Sequence, residues 1–287
     1  MLGSALFPFF QKANYDVLAT DIDLNEPWLK QLDVREFSQA EELCKLFRPD
    51  LVCHLAALTS LEYCENHPDE AYHVNYLGTR NMAVLCKRLN IPLAYISTAG
   101  VFDGRKDIYS EADIPNPINV YGKTKLYGEI LIQASLERYF ILRAGWMVGG
   151  GRKDKKFVSY IITQAQEGRK TFHVVNDRFG TPTYTKDFAR NLDALIRTDY
   201  YGLYHMVCRG DASRSEIARC ILDVLHIRNP VIQEVNSDFF RKEFSAPRPV
   251  SERMINAHLD RRGINLMRDW RDALRDYIVD EWRDAIQ

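Results

Sequence analysis

An alternation of short β-branched runs with longer helical patterns, over the first two thirds of the chain, constrains the fold more than any other feature. The predicted strands cover residues 16–20, 50–55, 93–97 and 140–143. The helical period predicts helices between them, over residues 36–47, 68–89 and 120–138. Strands that alternate with helices form βαβ units, which build a parallel sheet with helices on its faces. The chain is therefore predicted to be an α/β protein with a doubly wound parallel sheet.

The pattern changes after the glycine triplet at residues 149–151. Further helices are predicted over residues 157–168, 185–198 and 213–225, with short strand-like pieces such as 203–207 between them. An amphipathic pattern over 270–282 predicts a last helix that packs on the core. We therefore expect one domain over residues 1–150 and a smaller α/β region over 151–287, some of whose segments return to the sheet.

Composition excludes several classes of protein. With 46% hydrophobic residues and a formal net charge of -1, the chain gives no reason to expect nucleic acid or an anionic membrane as a partner. The six cysteines form no C-x-x-C pair, the seven histidines are scattered, and no stretch is long enough to span a bilayer. We expect reduced thiols, no metal site, no signal peptide and a cytoplasmic location.

The helical pattern over residues 2–12 opens the chain, with no strand before it. In a dinucleotide-binding Rossmann fold, a strand runs into a Gly-rich turn whose helix N-terminus holds the pyrophosphate. Gly3 precedes Asp21 by close to the roughly 20 residues that separate this turn from the ribose-binding acid. We expect Gly3 to be the last glycine of the turn and Asp21 to bind ribose, although Asp21 could simply end a strand.

The missing strand is normally central in such a sheet, so its absence is expected to leave two interior edges unpaired. We further expect the codons upstream of Met1 to encode a short apolar strand ending in Gly-x-x-Gly.

Tyr121 and Lys125 lie at i and i+4 near the start of a predicted helix and therefore share one face. A nearby ammonium is expected to lower the pKa of the tyrosine, which makes it a general acid or base. The strand over 93–97 delivers Thr98 to the crevice where open α/β sheets bind ligands, and its hydroxyl could stabilise an alkoxide. Alone, a Y-x-x-x-K pair is common on surface helices, and Thr98 could merely cap a turn.

Further motifs extend this pattern along nearly the whole chain. They are Ser97-Thr98, Val101-Phe102-Asp103-Gly104, the stretch 117–125, the stretch 180–185 with Asp187, His54-Leu55-Ala56-Ala57 with Thr59, Asn75, Arg143 with Trp146, and Arg248-Pro249. In this set and order the sequence resembles the extended short-chain dehydrogenase/reductases, and within them the dTDP-4-dehydrorhamnose reductase group.

The resemblance implies a Rossmann domain with a C-terminal substrate-binding region, and an NAD(P)H-dependent reduction of the 4-keto group of a nucleotide-linked deoxysugar. Tyr121 would donate the proton, Lys125 would orient the nicotinamide ribose and Thr98 would bind the C4 oxygen. The cofactor residues that it implies are Gly3, Asp21, Asp33, Val34, Ala56, Ala57 and Asn75. The substrate residues that it implies are Thr59, Val101, Phe102, Trp146 and Thr181. A carboxylate at Asp21 would favour NAD over NADP because it repels a 2′-phosphate.

One departure narrows the reaction. Many reductases of this group have Asp-Tyr where this chain has Ala99-Gly100, which weakens the assignment of a particular sugar. The change also removes the acid of the 4,6-dehydratases. Three alternatives stay open: a nucleotide-sugar epimerase, a nucleotide-sugar dehydrogenase, and a non-catalytic protein such as the methionine adenosyltransferase regulatory subunit. The basic run over 152–156 could meet a diphosphate or lie in a solvated loop, and the sequence allows a homodimer.

Overall fold

The computed structural model describes residues 1–286. Its helices are α1 (Leu2–Lys12), α2 (Phe37–Phe47), α3 (Leu61–Asn66), α4 (Pro68–Tyr72), α5 (Gly78–Leu89), α6 (Val120–Ser135), α7 (Phe157–Gln166), α8 (Thr185–Ile196), α9 (Arg214–Val224), α10 (Ala257–Arg261) and α11 (Trp270–Glu281). Its strands are β1 (Thr20–Asp21), β2 (Lys30–Gln31), β3 (Val52–His54), β4 (Leu93–Thr98), β5 (Tyr139–Ala144), β6 (Trp146–Val148), β7 (Thr171–Val175), β8 (Phe179–Gly180), β9 (Pro182–Tyr184), β10 (Gly202–His205), β11 (Ala212–Ser213), β12 (Val231–Val235) and β13 (Ser251–Glu252).

The main sheet has the strand order β10-β5-β4-β3, and all of its pairs are parallel. Because every strand runs the same way, the carboxyl ends of β3, β4 and β5 meet at one edge. Helices α5 and α6 pack on one face over a core that includes Leu85, Tyr95 and Ile132. The predicted α/β class with a parallel, helix-flanked sheet is confirmed.

Two strand edges in this sheet region pair on one side only within residues 1–286. β1 pairs with β2 alone and β3 with β4 alone, as the sequence predicted for two interior edges. The predicted strand over 16–20 is wrong in extent, because only Thr20–Asp21 forms a ladder. The ladder hydrogen bonds of this segment come from the β2 side. Lys30 N donates to Ala19 O at 2.9 Å, and Leu32 N donates to Asp21 O at 2.9 Å.

The two halves of the chain share one hydrophobic core. β10 joins the main sheet beside β5, and α1 packs against α8. The predicted amphipathic stripe of the last helix is confirmed, because Trp270, Leu274 and Tyr277 are buried in the same cluster as Leu6 and Phe140. None of the helices within residues 1–286 has the length and apolar character needed to cross a membrane.

One predicted helix contains an unexpected turn. The stretch over 68–89 is helical throughout, but His73–Leu77 adopts a π-helical turn between α4 and α5. Single π turns inside α-helices are frequent at functional sites because the extra residue redirects a side chain. Here the turn contains Asn75, which is completely buried.

Candidate active site

A cleft of about 2740 Å³ runs along β3, from residues 47–51 before the strand to the carboxyl edge of the sheet. Its walls include the N-terminus of α1, the end of β1, the loop after β3, the end of β4 and the start of α6. Residues from the second half, among them Lys156, Arg178, Arg214, Arg248 and Glu252, close the other side. This is the location where open α/β sheets bind ligands.

The first turn of α6 is fixed by polar side chains. Asn119 is the N-cap, and its Oδ1 accepts a hydrogen bond from Gly122 N at 2.8 Å. Its Nδ2 donates to Pro247 O at 2.9 Å, which ties the helix start to the C-terminal region. The backbone N–H of Val120 donates to Glu65 Oε1 at 2.6 Å. Two of the helix's free N–H groups are thus satisfied, and the position of Tyr121 is set.

Gly122 permits a close approach that a larger residue would block. A Cβ at this position would lie 2.2 Å from the carbonyl oxygen of Gly100. Because α6 can therefore touch the turn at Ala99–Val101, Tyr121 and Thr98 line the same part of the cleft.

The hydroxyl of Thr98 accepts a hydrogen bond from Gly100 N at 3.0 Å, so Thr98 caps the turn and also faces the cleft. Burial raises the pKa of Tyr121 to about 12, and hydrogen bonding to Thr98 opposes that rise. The expected lowering of this pKa is therefore wrong for this arrangement. Burial favours the neutral phenol more strongly than neighbouring groups favour the phenolate.

Lys125 lies on the same face of α6 as Tyr121 and is 2% exposed. Its Nζ is 4.0 Å from the centre of the Tyr95 ring, a cation–π arrangement. Burial lowers the pKa of Lys125 to about 7, while the negative charge of Glu129 opposes the change. Lys125 is not among the groups that shift the pKa of Tyr121.

A buried ion pair supports both catalytic candidates from behind. Arg143 Nη2 donates to Glu129 Oε2 at 2.6 Å, and Arg143 Nε donates to Glu129 Oε1 at 3.0 Å. The two side chains are 3% and 1% exposed, and Ser97 also donates to Glu129. The cluster links α6 to β4 and β5. Glu129 was not predicted as a site residue, although its spacing of four from Lys125 places it on the same helix face.

Asn75 joins the loop after β3 to α6. Its Oδ1 accepts from Leu58 N at 2.7 Å, and its Nδ2 donates to Leu58 O and to Thr124 Oγ1, each at 3.0 Å. The amide is saturated by protein groups and lies behind the wall of the cleft. We therefore expect Asn75 to shape the cofactor region by holding this loop, and not by direct contact.

The other cofactor candidates line the first half of the cleft. They are Gly3, Asp21, Asp33, Val34, Ala56 and Ala57. The carboxylate of Asp33 is engaged by Arg35 in a bidentate pair, whose Nη2–Oδ2 distance is 2.5 Å, and this hydrogen bonding lowers the pKa of Asp33. Asp21 is exposed and accepts from Asp23 N at 3.2 Å, and it forms no salt bridge with any described residue.

The substrate candidates separate into two groups. Thr59 and Trp146 line the cleft. Val101, Phe102 and Thr181 are completely buried and lie outside the lining. Phe102 stacks on Tyr109 at 4.1 Å, and Thr181 Oγ1 accepts from Met254 N at 3.0 Å. Their side chains are occupied by protein contacts, so we expect these three to support the site from behind.

Several cationic side chains on the second half of the cleft were not predicted individually. Burial lowers the pKa of Lys156 and lowers that of Arg214 to about 10. Arg248 reaches across the cleft to Glu62, with an Nη2–Oε1 distance of 2.6 Å. No local sequence pattern identifies Arg178 or Arg214, because they converge with Lys156 only after folding. Every residue of the run over 152–156 lines the cleft, and Lys156 remains exposed to solvent there.

Comparison with known proteins agrees with this geometry. The family model described as the RmlD substrate binding domain matches residues 1–282. A dTDP-4-dehydrorhamnose reductase of Mycolicibacterium smegmatis is 32% identical over 233 residues, covering 80% of this chain and 70% of that protein. The methionine adenosyltransferase 2 subunit beta of Bos taurus is 26% identical over 301 residues, covering 100% of this chain and 88% of that protein.

A solved structure supports the same assignment. The dTDP-4-dehydrorhamnose reductase of Bacillus anthracis, in complex with NADP, superimposes with a TM-score of 0.81 and 31% identity. The match covers 88% of this chain and 90% of that one. The sequence resemblance to extended short-chain dehydrogenase/reductases is confirmed, and the chain belongs to the family of the RmlD substrate binding domain.

Proposed function

We propose that this protein reduces the 4-keto group of a nucleotide-linked deoxysugar, with NADH or NADPH as the hydride donor. The observation that carries the proposal is the convergence of Thr98, Tyr121 and Lys125 on one cleft at the carboxyl end of β4. The family membership and the reductases among the relatives support the same reaction.

The chemistry assigns one task to each side chain. The Thr98 hydroxyl donates a hydrogen bond to the C4 carbonyl oxygen and stabilises the negative charge that develops there. As a hydride with its electron pair adds to C4, the carbonyl π bond breaks and the oxygen takes the phenolic proton of Tyr121. The products are the C4 alcohol, oxidised nicotinamide and the Tyr121 phenolate, which regains a proton from water. Because the pKa of Tyr121 is raised, the phenol keeps its proton at neutral pH and can donate it to the C4 oxygen.

The first half of the cleft fits a dinucleotide, which would supply the hydride. Apart from its chain neighbours and the nearby backbone of α1, no atom of residues 1–286 lies within 4 Å of a Cβ placed on Gly3, so the space at the N-terminal turn of α1 is open. Free backbone N–H groups at a helix N-terminus attract phosphate. Asp21 would bind the adenosine ribose through its exposed carboxylate, and Lys125 would orient the nicotinamide ribose. Ala56 and Ala57 leave room for close approach beside β3. The carboxylate of Asp21 favours NADH over NADPH.

The second half of the cleft suits a nucleotide diphosphate. Lys156, Arg178, Arg214 and Arg248 line it, and Arg178 Nε is buried without a hydrogen-bond partner among the described residues. Guanidinium groups match phosphate geometry and carry their charge at every physiological pH. With Thr59 and Trp146 on the same walls, this region would hold the sugar nucleotide.

The test measures turnover of a dTDP-4-keto-6-deoxyhexose with NADH and with NADPH. Turnover is monitored as the loss of absorbance of the reduced nicotinamide. Tyr121→Phe is expected to lower kcat by at least about 100-fold, because general acid catalysis contributes this much. Tyr127→Phe is the matched control, since Tyr127 lies on the same helix with 43% of its surface exposed. Full activity of Tyr121→Phe contradicts the mechanism.

The same assay separates the alternatives. An epimerase on these residues would convert the sugar without net consumption of cofactor. A regulatory protein would bind NAD(P)H and show no turnover with any 4-keto sugar. Stoichiometric loss of one NAD(P)H for each C4 alcohol formed supports the reductase.

A further inference from the structure

Trp146 is held in one orientation by three different contacts. A Cβ on Gly180 would lie 2.3 Å from the indole ring, so the ring rests directly on the glycine backbone. The guanidinium carbon of Arg214 lies 3.6 Å from the ring centre. The indole Nε1 donates to Glu252 Oε2 at 2.7 Å. Glu252 is fixed in turn by its position on β13, opposite Gly180 of β8.

Oε1 of Glu252 accepts no hydrogen bond from residues 1–286. Among residues 1–286, the bond from Trp146 is the only hydrogen bond that this carboxylate accepts, and it forms no salt bridge. Glu252 lines the cleft together with Thr98 and Tyr121. Removal from solvent raises the pKa of Glu252, while Trp146 and the charges of Arg214, Arg248 and Arg178 oppose that rise.

Oε1 of Glu252 and the hydroxyl of Thr98 both border Gly100. A Cβ built on Gly100 would be 3.9 Å from Glu252 Oε1 and 3.4 Å from Thr98 Oγ1. The carboxylate oxygen and the Thr98 hydroxyl therefore flank one point, and Gly100 leaves that point free of side-chain atoms.

Glu252 is half-buried, and its Oε1 faces the cleft. A ligand that fills the cleft displaces water from this oxygen, which is costly unless the ligand itself supplies a hydrogen-bond donor. A sugar hydroxyl is such a donor. The atoms next to C4 in a 4-keto-6-deoxyhexose are C3 and C5, and C5 carries the methyl group. A hydroxyl beside the reacting carbonyl can therefore come only from C3.

We propose that Glu252 is a specificity-determining residue whose Oε1 accepts a hydrogen bond from the C3 hydroxyl of the sugar, in the space that Gly100 leaves open. The inference rests on the proposed function, because it uses the position of C4 at Thr98. It implies a preference for sugars that retain the C3 hydroxyl over their 3-deoxy counterparts.

The experiment compares dTDP-4-keto-6-deoxyglucose with its 3-deoxy analogue, in the wild type, Glu252→Ala and Glu252→Gln. A hydrogen bond to a charged group corresponds to about 10- to 100-fold in kcat/KM. The wild type is expected to prefer the hydroxylated sugar by this factor. Glu252→Ala should abolish the preference by lowering kcat/KM more for the hydroxylated sugar than for its 3-deoxy analogue, and Glu252→Gln should reduce it. Glu137→Gln, at an exposed position outside the cleft, should leave the preference unchanged.

A merely structural role for Glu252 gives a different result. If Glu252 only orients Trp146, both variants lower kcat/KM equally for the two sugars, and the proposal is overturned. Gly100→Ala provides a second variant without loss of the Trp146 contact, and it should weaken the preference by partly filling the space.

Binding measurements keep this inference separate from the reductase proposal. Calorimetric Kd values for the two sugars need no turnover and should show the same Glu252-dependent ratio. Absence of reduction with the ratio intact contradicts the reductase alone. Reduction with equal Kd values and equal kcat/KM for both sugars in the wild type overturns the role of Glu252.

Discussion

At the scale of single residues, burial shifts the protonation equilibria of Tyr121 and Lys125 on α6. It raises the pKa of Tyr121 to about 12 and lowers that of Lys125 to about 7, because removal from water favours the neutral form of each. A neutral phenol is the form that a proton donor needs. For Lys125, a neighbouring anion or a bound ribose would favour the ammonium.

Asp21 provides a residue-scale prediction about cofactor choice. Asp21→Ser removes the carboxylate that would repel a 2′-phosphate, so the ratio of kcat/KM for NADPH to that for NADH should rise by about tenfold, or about 1.4 kcal/mol. Asp23→Ser is the control, because Asp23 is exposed nearby and does not line the cleft. An unchanged ratio in Asp21→Ser would show that another group selects the cofactor.

At the scale of elements, the position of α6 relative to β4 and β5 depends on polar contacts buried beneath the helix. Glu129 is held by Arg143 and Ser97, and the Tyr95 hydroxyl donates to the backbone oxygen of Lys125 at 3.2 Å. These groups have little access to water, so each depends on its protein partner.

Loss of the Glu129 carboxylate should therefore be severe. Glu129→Ala leaves Arg143 as a buried charge without its partner, and we expect the free energy of unfolding to fall by about 3–5 kcal/mol. Urea denaturation followed by circular dichroism measures the change. Glu137→Ala, just beyond the end of the same helix and exposed, should change stability little. A loss below about 1 kcal/mol for Glu129→Ala would argue against this support.

The close approach of α6 to the 99–101 turn gives a second prediction at this scale. Gly122→Ala forces the two backbones apart, because its Cβ would lie 2.2 Å from Gly100 O. We expect a loss of about 1–3 kcal/mol in stability. A decrease in kcat is also expected, since Tyr121 moves away from Thr98. Lys123→Ala, on the exposed side of the same turn, should retain both stability and kcat.

At the scale of the whole molecule, two buried histidines couple stability to pH. Burial lowers the pKa values of His54 and His205 to about 3. His54 Nε2 is 3.1 Å from Thr79 Oγ1, and His205 Nδ1 is 3.1 Å from Ile255 O. Between pH 6.5 and about 3 the unfolded chain binds protons that the folded protein does not, so stability falls as the pH decreases through this window.

The pH effect can be measured on one residue. Between pH 7 and pH 5, His205 alone should contribute a loss of about 2 kcal/mol in the free energy of unfolding. In His205→Gln the difference between these two pH values should shrink by that amount, whatever the absolute stability of the variant. His67→Gln, an exposed substitution, should keep the wild-type pH dependence. Equal pH dependence in His205→Gln and the wild type would contradict the assignment.

Local sequence determined the elements and the main candidates. The helical period placed α1 at Leu2–Lys12 and the start of α6 at Val120, because amphipathic spacing is a property of neighbouring residues. The order of strands and helices predicted the parallel sheet, whose carboxyl edge carries Thr98 and Tyr121. These features require only interactions that are local or repeated along the chain.

Tertiary structure decided the features that depend on contacts between distant parts of the chain. The short ladder at Thr20–Asp21 depends on a partner strand, and the raised pKa of Tyr121 depends on elements distant in sequence. The burial of Phe102 and the juxtaposition of Gly100 with Glu252 likewise arise only when the two halves pack together. A sequence pattern fixes which face of an element is apolar, but the surrounding atoms determine the solvation and the partners of each polar group.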